Sequence, residues 1–204
     1  MRRSDVLKAS PPMFASPLLD RFTRVHPAVP VVLFAPAITW LAVLGIGRNG
    51  WLALALMAAG YVFWTLTEYW LHRIVFHYEP EDGIGARLHW MIHGVHHDHP
   101  NDPLRLVMPP SASIPLALAF YGLFWLVLGA SAATSFGAGF LAGYLVYDMV
   151  HYHVHHHKPR TRVGRKLREL HMRHHFQDHD SGYGVSAPYW DVVFGTPPKQ
   201  KTRA

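Results

Sequence analysis

The chain has 204 residues, 50% of them hydrophobic and 16% charged. That is enough apolar content for one folded unit and too little charge for disorder. No cysteine is present, which excludes a disulfide scaffold, a Cys-based zinc finger, a Cys-ligated iron–sulfur cluster and a thiolate-ligated haem.

Residues 1–28 hold no sustained apolar run, so no secretory leader is expected among them; they read as a partly ordered arm at a membrane interface. Val29–Gly47 is a run of 19 residues without a charge. Trp51–Thr67 is a run of 17 that continues through Glu68 to Leu71, and Leu106–Tyr147 holds 42 more. About 20 helical residues cross a bilayer core, so the longest run is too long for one crossing. Its natural break is the stretch GASAATSFG at 129–137, small, weakly polar and suited to a tight turn. The expectation is an all-α integral membrane protein. Its four transmembrane helices, about 29–47, 51–71, 113–130 and 134–152, form two hairpins.

Charge placement agrees with that topology. The two hairpin turns hold one basic residue, Arg48, and no acid. The other 18 Lys and Arg lie in the N-terminal segment (five), the loop 72–112 (three) and the segment from Lys158 (ten). Two hairpins put these three regions on one side, and the positive-inside rule makes that side cytoplasmic. Topology and anionic headgroups thus account for the formal charge of +6, and no nucleic-acid partner is expected.

Histidine is the outlier, at 17 residues against 13 acidic ones. Except for His26, all lie at the cytoplasmic ends of the second and fourth crossings or in the segments that follow. HxxHH occurs three times, at 93/96/97, 153/156/157 and 171/174/175. On a helix these spacings span an arc of roughly 100°, so each triplet can aim three imidazoles at one point. His151 and His155 are about 40° apart; His72 and His77 are about 140° apart and converge only if the helix ends or loosens between them. His26, His99 and His179 read as ordinary interfacial polar residues. Clustered imidazoles would repel one another on protonation, whereas metal holds them neutral. Ten or more exceed the four ligands of a closed zinc site and suit two ions of higher coordination. Two adjacent redox metals in all-nitrogen shells can bind and cleave dioxygen, which zinc cannot. The residues alone leave open whether 151/155 or 153/156/157 supplies ligands.

These motifs resemble the integral-membrane fatty acid hydroxylase superfamily, most closely the fatty acid 2-hydroxylase branch that acts on sphingolipid acyl chains. The resemblance runs from about Tyr61 to Pro197, through EYWLHRIVFH (68–77), HWMIHGVHH (89–97), RLVMPP (105–110), YDMVHYHVHH (147–156) and LHMRHHFQDHDSGYGVSAPYWDVVFGT (170–196). The His boxes alone mark a membrane di-metal oxygenase or desaturase; RLVMPP and the GYGVSAPYWDVVFGT tail favour the hydroxylase branch. The resemblance implies a two-metal shell of His72, His77, His93, His96, His97, His151, His155, His171, His174 and His175, with His153, His156 and His157 as local extras. His89 matches a family histidine, a candidate for supporting a ligand. The resemblance further implies two iron ions (with zinc able to replace them in purified protein), dioxygen as co-substrate and a membrane lipid as substrate, hydroxylated at carbon 2 of its acyl chain. It makes residues 29–204 the hydroxylase-like membrane domain, with a cytoplasmic helical cap holding the di-metal centre.

Asp148, three residues before His151 on the same helical face, is placed to accept a proton from a ligand's far nitrogen or to pair with a headgroup-level cation. Glu68 admits the same two readings. Tyr189 and Trp190 read as interfacial anchors. Eukaryotic relatives carry a fused cytochrome b-type haem domain; the His26-Pro27 pair, just before an apolar helix, is not a haem site, so a separate electron-donor protein is expected. Small size and an excess of Arg over Lys, 14 to 5, favour a bacterial inner membrane over the endoplasmic reticulum. Competing readings are a sterol or carotenoid hydroxylase or an acyl desaturase on the same scaffold, and a non-enzymatic metal-binding or metal-transport membrane protein. Against transport, the middles of the four crossings lack charged residues and histidine.

Overall fold

The computed structural model describes residues 2–199, and among these every regular element is helical. Residue 1 and residues 200–204, with the basic Lys201 and Arg203, lie outside the described residues. Two short helices, α1 (Arg3–Leu7) and α2 (Pro17–Arg21), form the N-terminal arm. Then follow α3 (Ala28–Asn49) and α4 (Leu52–Trp70), the latter prolonged by a π-helical segment, Leu71–Phe76. Next come α5 (Gly83–His89), a second π-helical segment Trp90–Gly94, and α6 (Val95–Asp98). The chain continues through α7 (Pro110–His156), α8 (Arg162–Phe176) and α9 (Tyr189–Val193).

Three helical segments are long and apolar enough to cross a membrane: Ala28–Asn49, Leu52–Phe76 and Pro110–His156. Their outward faces carry Val32, Trp40, Val43, Val62, Leu118 and Leu126, all exposed. A protein whose apolar helices were buried in a soluble core would hide such residues, whereas a bilayer solvates them.

α7 is not one rod. Gly129 has φ 76° and ψ 160°, and the rings of Phe120 and Phe140 meet at 4.9 Å, where a straight helix would separate them by about 30 Å. The segment therefore doubles back on itself. The turn expected across 129–137 contracts to this single glycine, because only glycine reaches that backbone region without strain. Its small neighbours remain helical and serve packing instead. Ala133, Ser135, Gly137 and Gly139 are buried, and a Cβ on Gly139 would lie 1.9 Å from the Met57 carbonyl oxygen. Small residues at such crossings let helix backbones approach closely.

The α3–α4 turn sits beside the Gly129 turn. Arg48 Nη1 donates to Thr134 Oγ1 at 2.9 Å, and Asn49 Nδ2 donates to Ser131 O and Ser135 Oγ, both at 2.9 Å. Both turns thus occupy one end of the bundle. The far ends of α4 and α7 carry the histidines.

Candidate metal centre

The π-helical segment Leu71–Phe76 supplies the loosening that His72 and His77 need. Its i→i+5 pattern includes a bond from His77 N to His72 O at 3.2 Å, which brings residues five apart over one another. Ten histidines then gather into two groups. One comprises His72, His77, His93, His97 and His174; the other comprises His96, His151, His155, His171 and His175. Within each group the candidate ligand atoms all lie within 4.8 Å of one another.

The HxxHH triplets do not each aim at one point, contrary to expectation. His93 and His97 join the first group while His96 turns to the second, and His171 and His175 join the second while His174 turns to the first. In these two triplets the i,i+4 pair shares a direction, and the i+3 residue, swung away around the helix, meets the opposite group; the third triplet, 153/156/157, joins neither group. The two groups are thereby interlocked.

Their spacing fits metal coordination. Nε2–Nε2 separations are 3.2 Å for His72–His93, 3.1 Å for His77–His174, 2.9 Å for His93–His97, 3.0 Å for His96–His151 and 2.8 Å for His155–His171. Two nitrogens each ~2.05 Å from one ion are ~2.9 Å apart at a right angle and ~3.3 Å apart at the tetrahedral angle. For His72 and His174 the tautomer is set by the fold. His72 Nδ1 donates to Tyr183 O and His174 Nδ1 donates to Ser181 O, both at 2.7 Å. This leaves each Nε2 with its lone pair directed into the group, the arrangement a metal ligand needs.

Electrostatics favours the same neutral form. Burial, then the neighbouring imidazoles, lowers the pKa of His97 to about 2 and that of His77 to about 3. Burial is the main cause for His174, lowered to about 4. Neutral imidazole is the ligand form, so protons need not be displaced at physiological pH.

The other histidines stay apart. His153 and His157 are exposed and stack on each other at 5.1 Å, and His156 packs on Tyr152. His26 Nδ1 accepts from Ala28 N, and His99 Nδ1 donates to Val6 O. His179 is exposed, its ring 5.5 Å from that of His97.

The three residues expected to support ligands bond elsewhere. Asp148 accepts from Tyr144 Oη at 3.1 Å and Met108 N at 3.4 Å. Glu68 is buried and accepts from Ser186 N at 2.7 Å and from the Ser186 hydroxyl. His89 Nε2 donates to Phe76 O at 2.6 Å, tying α5 to the end of the π-helical segment. The groups that bond the far nitrogens of His174 and His72 are instead the carbonyls of Ser181 and Tyr183. Asp191 holds their loop by accepting from Tyr183 N at 2.8 Å, Gly184 N at 2.9 Å and Thr196 Oγ1 at 2.9 Å. The sequence signal for this loop was the GYGVSAPYWDVVFGT tail, whose Gly182 and Gly184 mark a turn but do not single out the carbonyls. Tyr189 and Trp190 both bond Thr65 Oγ1, at 2.8 and 3.1 Å, and so fasten α9 to α4.

Both groups open onto one cavity of about 570 Å³. Its lining includes His93 from the first group and His96 and His151 from the second, with Leu71, Met108 and Phe120 among its apolar walls. That volume is typical of a site for a small organic molecule.

Membrane-length helices that end in two five-histidine groups, each able to hold a metal ion, define a membrane protein built around a histidine-rich metal centre. The chain belongs to the fatty acid hydroxylase family, whose signature matches residues 56–196, a family of oxidoreductases. It is 36% identical to the dihydroceramide fatty acyl 2-hydroxylase FAH1 of Arabidopsis thaliana, over 95% of this chain and 83% of that protein. It is 37% identical to the ceramide very long chain fatty acid hydroxylase SCS7 of Saccharomyces cerevisiae, over 93% of this chain and 50% of that protein. A solved structure titled full length scs7p, with only the hydroxylase domain visible, superposes with a TM-score of 0.85 and 35% identity, covering 91% of this chain and 72% of that one. The chain thus spans about half the length of the yeast relative, and 39% of the human fatty acid 2-hydroxylase. These relatives are eukaryotic and give no support to a bacterial inner membrane.

Proposed function

We propose that the protein hydroxylates the acyl chain of a membrane lipid, at carbon 2 of a fatty acid or ceramide-type substrate. Dioxygen is the co-substrate, and a separate donor protein supplies electrons. The observation that carries this reading is that both histidine groups line one cavity whose walls are mostly apolar. The ten clustered histidines would hold two iron ions, which supply the activation of dioxygen that breaking a C–H bond requires. The chain's own residues do the rest. Leu71, Met108 and Phe120 bind the hydrocarbon and exclude water. The Ser181 and Tyr183 carbonyls keep His174 and His72 aimed. The balance is one C–H bond, dioxygen, two electrons and two protons in, and an alcohol and water out. No side-chain nucleophile is needed.

To test this, whole-cell lipids are compared with and without the gene under dioxygen labelled with heavy oxygen. The expected product is one acyl species gaining one labelled oxygen at carbon 2. Label arriving from water, a double bond in place of a hydroxyl, or a hydroxylated sterol would overturn the assignment.

The same reading gives α7 two crossings, one on each side of Gly129, for four in all. Residues 1–28 then form an interfacial arm, residues 29–204 the membrane domain, and both termini and the histidine groups face the cytoplasm. The absence of native cysteine makes the topology simple to check. Ser131→Cys should react with a membrane-impermeant maleimide on intact cells, and Thr161→Cys only after permeabilisation. The opposite pattern would refute the arrangement.

A further inference from the structure

One wall of the cavity comes from the N-terminal arm. Met13, Phe14 and Thr23 of that arm line the cavity together with His93, His96 and His151, and α3 contributes nothing to the lining. Residues 8–13 have no regular secondary structure, so no helical ladder holds Met13 in place. A buried polar knot does. Asp20 Oδ1 accepts from Met13 N at 2.6 Å and from Arg105 Nη2 at 2.9 Å, while Asp20 Oδ2 accepts from Arg24 Nε at 3.0 Å. The Arg105 side chain is 2% exposed. Arg105 Nη1 donates to Pro11 O, and Arg24 Nη2 donates to Ser10 O at 2.9 Å. One carboxylate and two arginines therefore hold the backbone at residues 10, 11 and 13. Farther out, Asn101 N donates to Leu7 O at 2.9 Å and Val25 N to Leu104 O at 2.6 Å, so both ends of the arm are pinned to the loop that leads into RLVMPP.

We propose that Met13, Phe14 and Thr23 form the substrate-selecting wall of the cavity, in which Met13 and Phe14 decide which acyl lipids reach the histidine groups and the Asp20–Arg105 pair positions them. This rests on the acyl-hydroxylase reading. Beside Thr23, the wall presents one unbranched and one aromatic apolar side chain, Met13 and Phe14, which reject or admit a ligand through packing. A buried ion pair fixes geometry more than it adds stability, and removing one partner leaves the other charge uncompensated. Asp20 is accordingly a positioning residue and touches no substrate.

The test reads binding rather than turnover. Purified protein in detergent micelles is loaded with a fluorescent acyl probe, which is displaced by saturated fatty acids and ceramides of graded chain length. Phe14→Ala and Met13→Ala should shift the preference order toward bulkier ligands by at least about tenfold in relative Kd, the scale of a single methylene in an apolar pocket. Phe14→Trp should shift it the other way. Asp20→Asn should flatten the order and Asp20→Glu restore it. Phe22→Ala, an exposed side chain on the same arm that is absent from the lining, should leave the order as in wild type. Bound metal per chain should be unchanged in all of them. An unchanged order in both alanine variants, or a change accompanied by metal loss, overturns the wall. Failure of the wild-type protein to bind any acyl lipid overturns the functional reading beneath it.

Discussion

Replacing His174 by alanine is expected to empty one of two metal sites and abolish hydroxylation, while replacing His153 should do neither. His174 is fully buried. Its Nε2 lies 3.1 Å from that of His77, and its Nδ1 is committed to the Ser181 carbonyl. The substitution removes one of five candidate ligands, opens a void and strands that carbonyl. Loss of a group that merely orients a ligand costs about 10–100-fold in metal affinity, so loss of the ligand itself should cost at least ~100-fold. Because metal binding free energy is also folding free energy, the unfolding midpoint should fall in parallel. Elemental analysis of purified chains is the measurement. Wild type should carry two ions, which can be zinc, since zinc binds nitrogen sites tightly whatever the native metal. One ion or fewer in well-folded wild type, or two ions retained by His174→Ala, would sink the two-site reading. His26→Ala should keep both ions.

Gly139→Ala should be among the most damaging changes far from the histidines. Its Cβ would sit 1.9 Å from Met57 O, 2.6 Å from Met57 C and 2.8 Å from Met57 Cα. All three are backbone atoms, so no side chain can swing aside and α4 must separate from α7. Overpacking typically costs about 1–3 kcal/mol, and a backbone-on-backbone clash belongs at the upper end. The damage should also reach the metal centre. α4 and its π-helical extension carry His72, α7 carries His151 and His155, and a shift between these helices displaces one group against the other. Gly122 offers the control. A Cβ there meets nothing within 4 Å, so Gly122→Ala should be neutral or stabilising by up to ~1 kcal/mol through helix propensity. Unfolding in detergent, scored together with metal content, checks both. Equal stability of Gly139→Ala and wild type would show that the helices do not approach as closely as described.

The sequence by itself determined the helical class, the apolar spans and the histidine boxes, because each leaves a local trace, whereas the residues alone left open the choice between 151/155 and 153/156/157. Bilayer thickness demands a long uncharged run, and a histidine box repeats at helical spacing. It also stated the condition for His72 and His77, that the helix must loosen between them. It did not show that the device is a π-helical segment, since i→i+5 bonding has no distinct residue pattern. The division of the 93/96/97 and 171/174/175 triplets between two groups was decided only by tertiary structure, because periodicity gives directions around one helix and not where another helix stands. The orienting carbonyls of Ser181 and Tyr183 were hidden for a similar reason. Every residue has a carbonyl, and only the loop held by Asp191 and Glu68 gives these two their role. Asp148 and Glu68 looked suited to that task by position and residue type, and His89 by its match to a family histidine. Partners from distant segments, at Met108, Ser186 and Phe76, claimed them instead. The arm's contribution to the cavity lay farthest from view, because nothing in residues 1–28 indicates that Asp20 meets an arginine 85 positions away.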